Sequence, residues 1–229
     1  MPATGHAKNV ANFETVNIIL TNLGAEYNPS QPLILPPALQ TKLTAAKAAL
    51  AAVDGAEAAK KIAVNERAAE FDALQKLAVN VKRTAEVEVN DDAFTENLAA
   101  VIHKLRGTRA GDAPVDDPAT LDIDESKNTR SVSARGYDNQ VAYFADLIAL
   151  LKTQSTYNPN EAEMKIPALE TKLDTLETKN NAAKTAAAAL GSAMDTRDEV
   201  LYDDHTGVIK LVKLIKAQIA RKPGTNSQP

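Results

Sequence analysis

The sequence predicts an all-α fold: an internally duplicated helical bundle with pseudo-two-fold symmetry. Two long heptad-patterned helices would be flanked by shorter ones and joined by an irregular linker. Three observations lead there. The 229-residue chain is 44% apolar yet only 4% aromatic. Its apolar share is mostly Ala, Leu, Val and Ile, with runs such as Ala186 to Ala189, and Ala, Leu, Lys and Glu are the strongest helix formers. A nine-residue signature recurs at one fixed offset, and a 3.5-residue apolar rhythm follows each copy.

The repeat is carried by Tyr27-Asn28-Pro29, Pro37-Ala38-Leu39 and Thr41-Lys42-Leu43. It returns as Tyr157-Asn158-Pro159, Pro167-Ala168-Leu169 and Thr171-Lys172-Leu173, all 130 positions later. The same offset pairs Arg67 with Arg197 and Phe71 with Leu201. We divide the chain accordingly into a first helical repeat (1–106), a linker (107–135), a second helical repeat (136–222) and a flexible tail (223–229).

Each repeat opens on a helix of about five turns. The first is expected from Lys8 to Ala25, with Phe13, Val16, Ile19, Leu20 and Leu23 on one face. The second is expected from Tyr137 to Thr153, with Val141, Phe144, Leu147, Ile148 and Leu151. Tyr-Asn-Pro closes both, because Asn accepts turn conformations and Pro cannot continue a helix. Loops follow at 28–36 and 158–166, and Pro37 and Pro167 suit a first helical turn.

The long helices come next. Spacings of four and three run from Leu39 through Leu43, Ala46, Leu50 and Val53, and on through Arg67, Phe71 and Leu74 to Ala85. In the second repeat they run from Leu169 through Leu173, Leu176, Asn180 and Ala183 to Arg197 and Leu201. Such a period reads as a left-handed coiled-coil-like seam. Asp54-Gly55 is the one turn-like pair on the way. The heptad phase crosses it undisturbed, so a continuous helix is expected. A short helix ends each repeat. Asp91 or Asp92 would cap one carrying Phe94, Leu98, Val101, Ile102 and Leu105. Asp203 or Asp204 would cap one carrying Val208, Leu211, Val212, Ile215 and Ile219. Set side by side and antiparallel, the two long helices would give a four-helix bundle at each end. The alternative is two separate bundles.

The same residues bound the function. There is no Cys, which removes disulfides, thiolate-bound zinc, iron–sulfur clusters and a cysteine nucleophile. The three histidines, His6, His103 and His205, never share a helix at ligand spacing. Asp122-Ile123-Asp124-Glu125 faintly resembles a calcium loop, but Lys127 stands where the turn glycine belongs and Ser133 where the bidentate glutamate belongs. No nucleotide-binding glycine loop or nucleophile elbow is present. No catalytic, cofactor-binding or metal residue is therefore expected, nor any enzymatic activity. A net charge of −4 and few aromatics argue against a nucleic-acid partner. No stretch reaches the ~18 apolar residues of a membrane span, and no secretory signal is read at residues 1–12, so a cytoplasmic location is expected.

Two charge features remain. Arg67 and Arg197 fall on the seam, where a charge must be paired or reach solvent. From His205 onward Lys210, Lys213, Lys216, Arg221 and Lys222 occur with no acid. That basic amphipathic helix could meet an anionic membrane or an acidic partner. The bland alternative is bundle packing, with the lysines complementing the helix dipole. The function expected is structural: a non-enzymatic scaffold or protein-interaction protein, self-associating or partner-bound. Peripheral binding of anionic membranes or another polyanion is the second choice.

Overall fold

The computed structural model describes residues 5–107 and 136–221. The expected tail, and the expected linker apart from Gly107, lie outside the described residues. Within them every regular element is helical: α1 (Gly5–Leu23), α2 (Pro36–Glu88), α3 (Asp92–Arg106), α4 (Tyr137–Lys152), α5 (Ile166–Tyr202) and α6 (Val208–Ala220). Short 3-10 turns precede α2 and α5, at Pro32–Ile34 and Ala162–Met164.

The long helix α2 runs 53 residues without a break through Asp54-Gly55. Nothing lies within 4 Å of where a Gly55 side chain would begin. Glycine costs about 1 kcal/mol in a helix interior, too little to break so long a segment.

The chain forms two compact units, Met1–Ile62 with Thr185–Pro229, and Ala63–Lys184. Each takes part of α2 and part of α5. The first unit adds α1 and α6. Its core joins Phe13, Leu20, Leu39 and Leu43 with Leu201, Val208, Leu211 and Ile215. The second adds α3 and α4. There Phe71, Leu74 and Val81 of α2 meet Leu98 and Ile102 of α3, Phe144 and Leu151 of α4, and Leu169 and Leu176 of α5. Fully burying side chains of this size is worth roughly 1.5–3 kcal/mol each. Between Val53 and Phe71 no residue of α2 is buried, and Ile62 is 60% exposed.

The inward face of α1 differs from the sequence expectation. Ile19 is 51% exposed, and the buried stripe is Val10, Phe13, Asn17 and Leu20. Asn17 tolerates burial because its side-chain amide donates to the Phe13 carbonyl at 2.9 Å.

One bond recurs at the joints. Tyr27 and Tyr157 are buried. Tyr27 Oη donates to the Ile34 carbonyl at 2.9 Å, and Tyr157 Oη donates to the Met164 carbonyl at 2.8 Å. Each pins the loop between a short helix and the long helix that follows. Burial raises the Tyr27 pKa. For Tyr157, burial first and then the charges of Glu88 and Glu161 push it up to about 12.

The short C-terminal helices begin differently. Asp91 caps α3 as expected, accepting from the Phe94 N–H at 3.2 Å. Neither Asp203 nor Asp204 caps α6; its N-cap is Gly207, with no side-chain cap. Asp203 instead shapes the turn between α5 and α6. Its Oδ1 accepts from the N–H of Thr206 at 2.6 Å, from Thr206 Oγ1 at 2.9 Å and from the N–H of His205 at 3.0 Å. These bonds, those from Thr206 foremost, hold its carboxyl below the usual range.

The turn is so tight that a Cβ on Gly207 would lie 2.5 Å from the Asp203 nitrogen and 2.6 Å from its carbonyl oxygen. Gly207→Ala is therefore expected to destabilise the protein by about 1–3 kcal/mol, read as a lower urea midpoint. An unchanged midpoint would show that the turn relaxes freely. Alkaline titration should reveal the tyrosines. The folded-state Tyr157 pKa lies above its unfolded value, so its contribution is complete below about pH 10 and is lost as pH rises toward about 12. Tyr157→Phe should flatten that decline in a stability-against-pH series.

Candidate functional site

The sequence singled out two seam arginines and one basic helix. The structure gives each a different setting.

Arg67 lies on α2 one helical turn before Phe71. Its guanidinium stacks over the Tyr137 ring, with Cζ 4.0 Å from the ring centroid. Phe71 meets the same ring edge-on, with centroids 4.8 Å apart. Arg67 Nη1 donates to Asn180 Oδ1 at 3.3 Å, while its buried Nε has no hydrogen-bond partner. Asn180 of α5 is only 3% exposed. Its Nδ2 donates to Asp138 Oδ1 at 2.6 Å, and Lys184 Nζ reaches the same oxygen at 2.5 Å. Lys184, then Asn180, hold the Asp138 carboxyl below the usual range.

A relay thus runs from Arg67 through Asn180 to Asp138 and Lys184, joining α2, α5 and the first turn of α4. Two ion pairs flank it: Lys179 with Glu66 at 2.8 Å, and Lys172 with Glu70. Positions rise along α2 as they fall along α5, so the two helices run antiparallel through this unit. Partly exposed ion pairs contribute about 0–1 kcal/mol each. The relay's larger effect is on register, because a shift of one turn would strand Asn180 and Arg67 without partners.

Arg197 is placed otherwise. Its Nε and Nη2 both reach Oδ1 of the adjacent Asp198, at 2.9 and 2.8 Å. The Arg197 side chain is 12% exposed and that of Asp198 50%. The two seam arginines belong to different units.

In α6, Val208, Leu211 and Ile215 are buried at 0, 2 and 1% exposure. Lys210, Lys213, Lys216 and Arg221 are all exposed. Lys222 lies outside the described residues.

His6 Nδ1 stands 2.7 Å from Tyr202 Oη at the surface of the first unit. Among the described residues no three His, Cys, Asp or Glu side chains gather as a metal site. No described helix is long and apolar enough to cross a membrane. Two open hollows stand out among the described residues. One, of about 380 Å³, lies between α1 and α2 and includes Glu14, Ile18, Leu43 and Lys47. The other, of about 580 Å³, includes Phe71, Asp72, Arg106 and Tyr137.

Sequence reasoning found Arg67 and Asn180 as polar breaks in an apolar rhythm. It missed Tyr137 and Asp138, which carry no periodic signal and matter only because α4 starts beside α2 and α5. No family model, curated protein or solved structure matches this chain.

Asn180→Leu should cost about 1–3 kcal/mol, because Arg67 loses its acceptor and Asp138 one donor. Adding Arg67→Leu should recover most of that loss. A double variant no more stable than the single one would refute the pairing. Arg197→Leu should stay within about 1 kcal/mol of the parent, since Asp198 keeps its water.

Proposed function

We propose that this chain is a non-enzymatic helical structural or protein-interaction protein, working through exposed helix faces. The observation that carries the reading is bulky apolar side chain left in solvent on α1. Ile18 is 57% and Ile19 51% exposed, and Ile18 lines the hollow bounded by Glu14, Leu43 and Lys47. Isolated exposed apolar residues are ordinary. Two adjacent exposed isoleucines, the first of them lining a hollow, form a surface that another protein would cover at a gain of about 25 cal/mol per Å² of apolar area.

The architecture behind this reading is an internal duplication with two heptad-patterned long helices. It is supported by the nine identities at an offset of 130. The two tyrosine-to-carbonyl bonds at the same offset add to it.

The test compares the full chain with an Ile18→Ser/Ile19→Ser variant by light scattering and by affinity purification from the native source. We expect self-association or a reproducible partner, lost in the variant while helical content is retained. A monomer that captures nothing, or captures the same proteins with both forms, would overturn the reading.

A second reading is peripheral binding of a polyanion or anionic membrane through α6. Its exposed lysines favour it. The burial of Val208, Leu211 and Ile215 weighs against insertion into a bilayer, because interfacial helices need their apolar face free.

A further inference from the structure

The solvent face of α6 is chemically unlike the surface of the other helices. Residues 205–229 hold five of the chain's 26 Lys and Arg and none of its 30 Asp and Glu. In the folded unit Lys210, Lys213, Lys216 and Arg221 are all exposed. At 100° per residue they fall on one continuous stripe of the helix, shared only with Ala217, Ala220 and the half-buried Ile209 at its N-terminal end. No carboxylate among the described residues comes within ion-pair distance of these four cations. Elsewhere the lysines of long helices are commonly engaged, as Lys47 with Glu14 at 2.5 Å, Lys61 with Glu57 at 2.8 Å and Lys82 with Glu86 at 2.6 Å.

We propose that this stripe is a docking surface for an acidic polypeptide stretch of a partner protein. The proposal rests on the interaction-protein reading and names a second surface and its partner chemistry. Three features select the partner. The stripe is cationic, so its complement is anionic. It offers two alanine methyls and the half-buried Ile209 beside the charges, while the large apolar side chains Val208, Leu211 and Ile215 point into the core. A bilayer therefore gains no insertion from it. This face has no aromatic ring, which removes the stacking platform that a single-stranded nucleic acid needs. A flexible acidic peptide needs only local contact. From Lys210 to Arg221 the stripe is about 16 Å long at ~1.5 Å rise per residue, matching about five extended residues of a partner.

The probe is fluorescein-labelled poly-L-glutamate, titrated with the full chain at low salt and followed by anisotropy. Parallel arms use phosphatidylserine-containing vesicles and duplex DNA. We expect saturable binding to polyglutamate, weakened by salt because exposed charges are screened. Lys213→Glu/Lys216→Glu should weaken it by at least about tenfold. Both substituted side chains are exposed, so helical content and unfolding midpoint should hold. Absence of saturable polyglutamate binding would overturn the proposal, as would equal affinity in the variant. Binding to vesicles or DNA in preference to polyglutamate would overturn it too, by assigning the stripe to another anion. These results are independent of the Ile18 and Ile19 experiment. Failure there with polyglutamate binding intact removes the apolar surface alone, and the reverse result removes the α6 surface alone.

Discussion

The packing of α6 into the first unit is the constraint on which the chemistry of this protein turns. Val208, Leu211 and Ile215 share a core with Phe13, Leu20, Leu39 and Leu43. A 13-residue helix is marginal alone in water, so these contacts hold it. Once its apolar side is committed to the core, the opposite side must face water, and that side carries the lysines. The same commitment weakens the case for membrane insertion and strengthens that for a charge-complementary partner.

A second consequence is interdependence along the chain. The first unit needs α1 and the start of α2 together with the end of α5 and α6. The second needs the end of α2 and α3 together with α4 and the start of α5. Neither half of the sequence contains a whole core. Unfolding is therefore expected to involve residues far apart in sequence, and non-local contacts slow folding relative to simple hairpin bundles.

The polar relay of the second unit serves specificity more than stability. Ala-rich helices offer many nearly equivalent sliding positions, because small side chains interlock weakly. Arg67, Asn180 and Asp138 break that equivalence: only one register satisfies Asn180 on both its oxygen and its nitrogen. The tyrosine-to-carbonyl bonds do similar work at the loops, fixing where each long helix begins.

Much of this was written in the sequence. Apolar periodicity and helix-forming composition determined that the chain is helical, and the Tyr-Asn-Pro stops located the ends of α1 and α4. The Asp91 cap and the unbroken passage through Asp54-Gly55 were equally legible, since each depends only on neighbours along the chain. Tertiary structure decided what depends on rotation and on distant partners. It turned α1 so that Asn17 faces inward and Ile19 outward, because the Phe13 carbonyl satisfies the buried amide. It left Gly207 to start α6, because the turn at Asp203 has no room for a side chain. It also gave Arg67 an aromatic face and an amide and Arg197 its own neighbour, although the sequence had treated them as equivalents. Local preferences act through the nearest few residues; facing, pairing and exposure arise only when segments far apart in the chain meet.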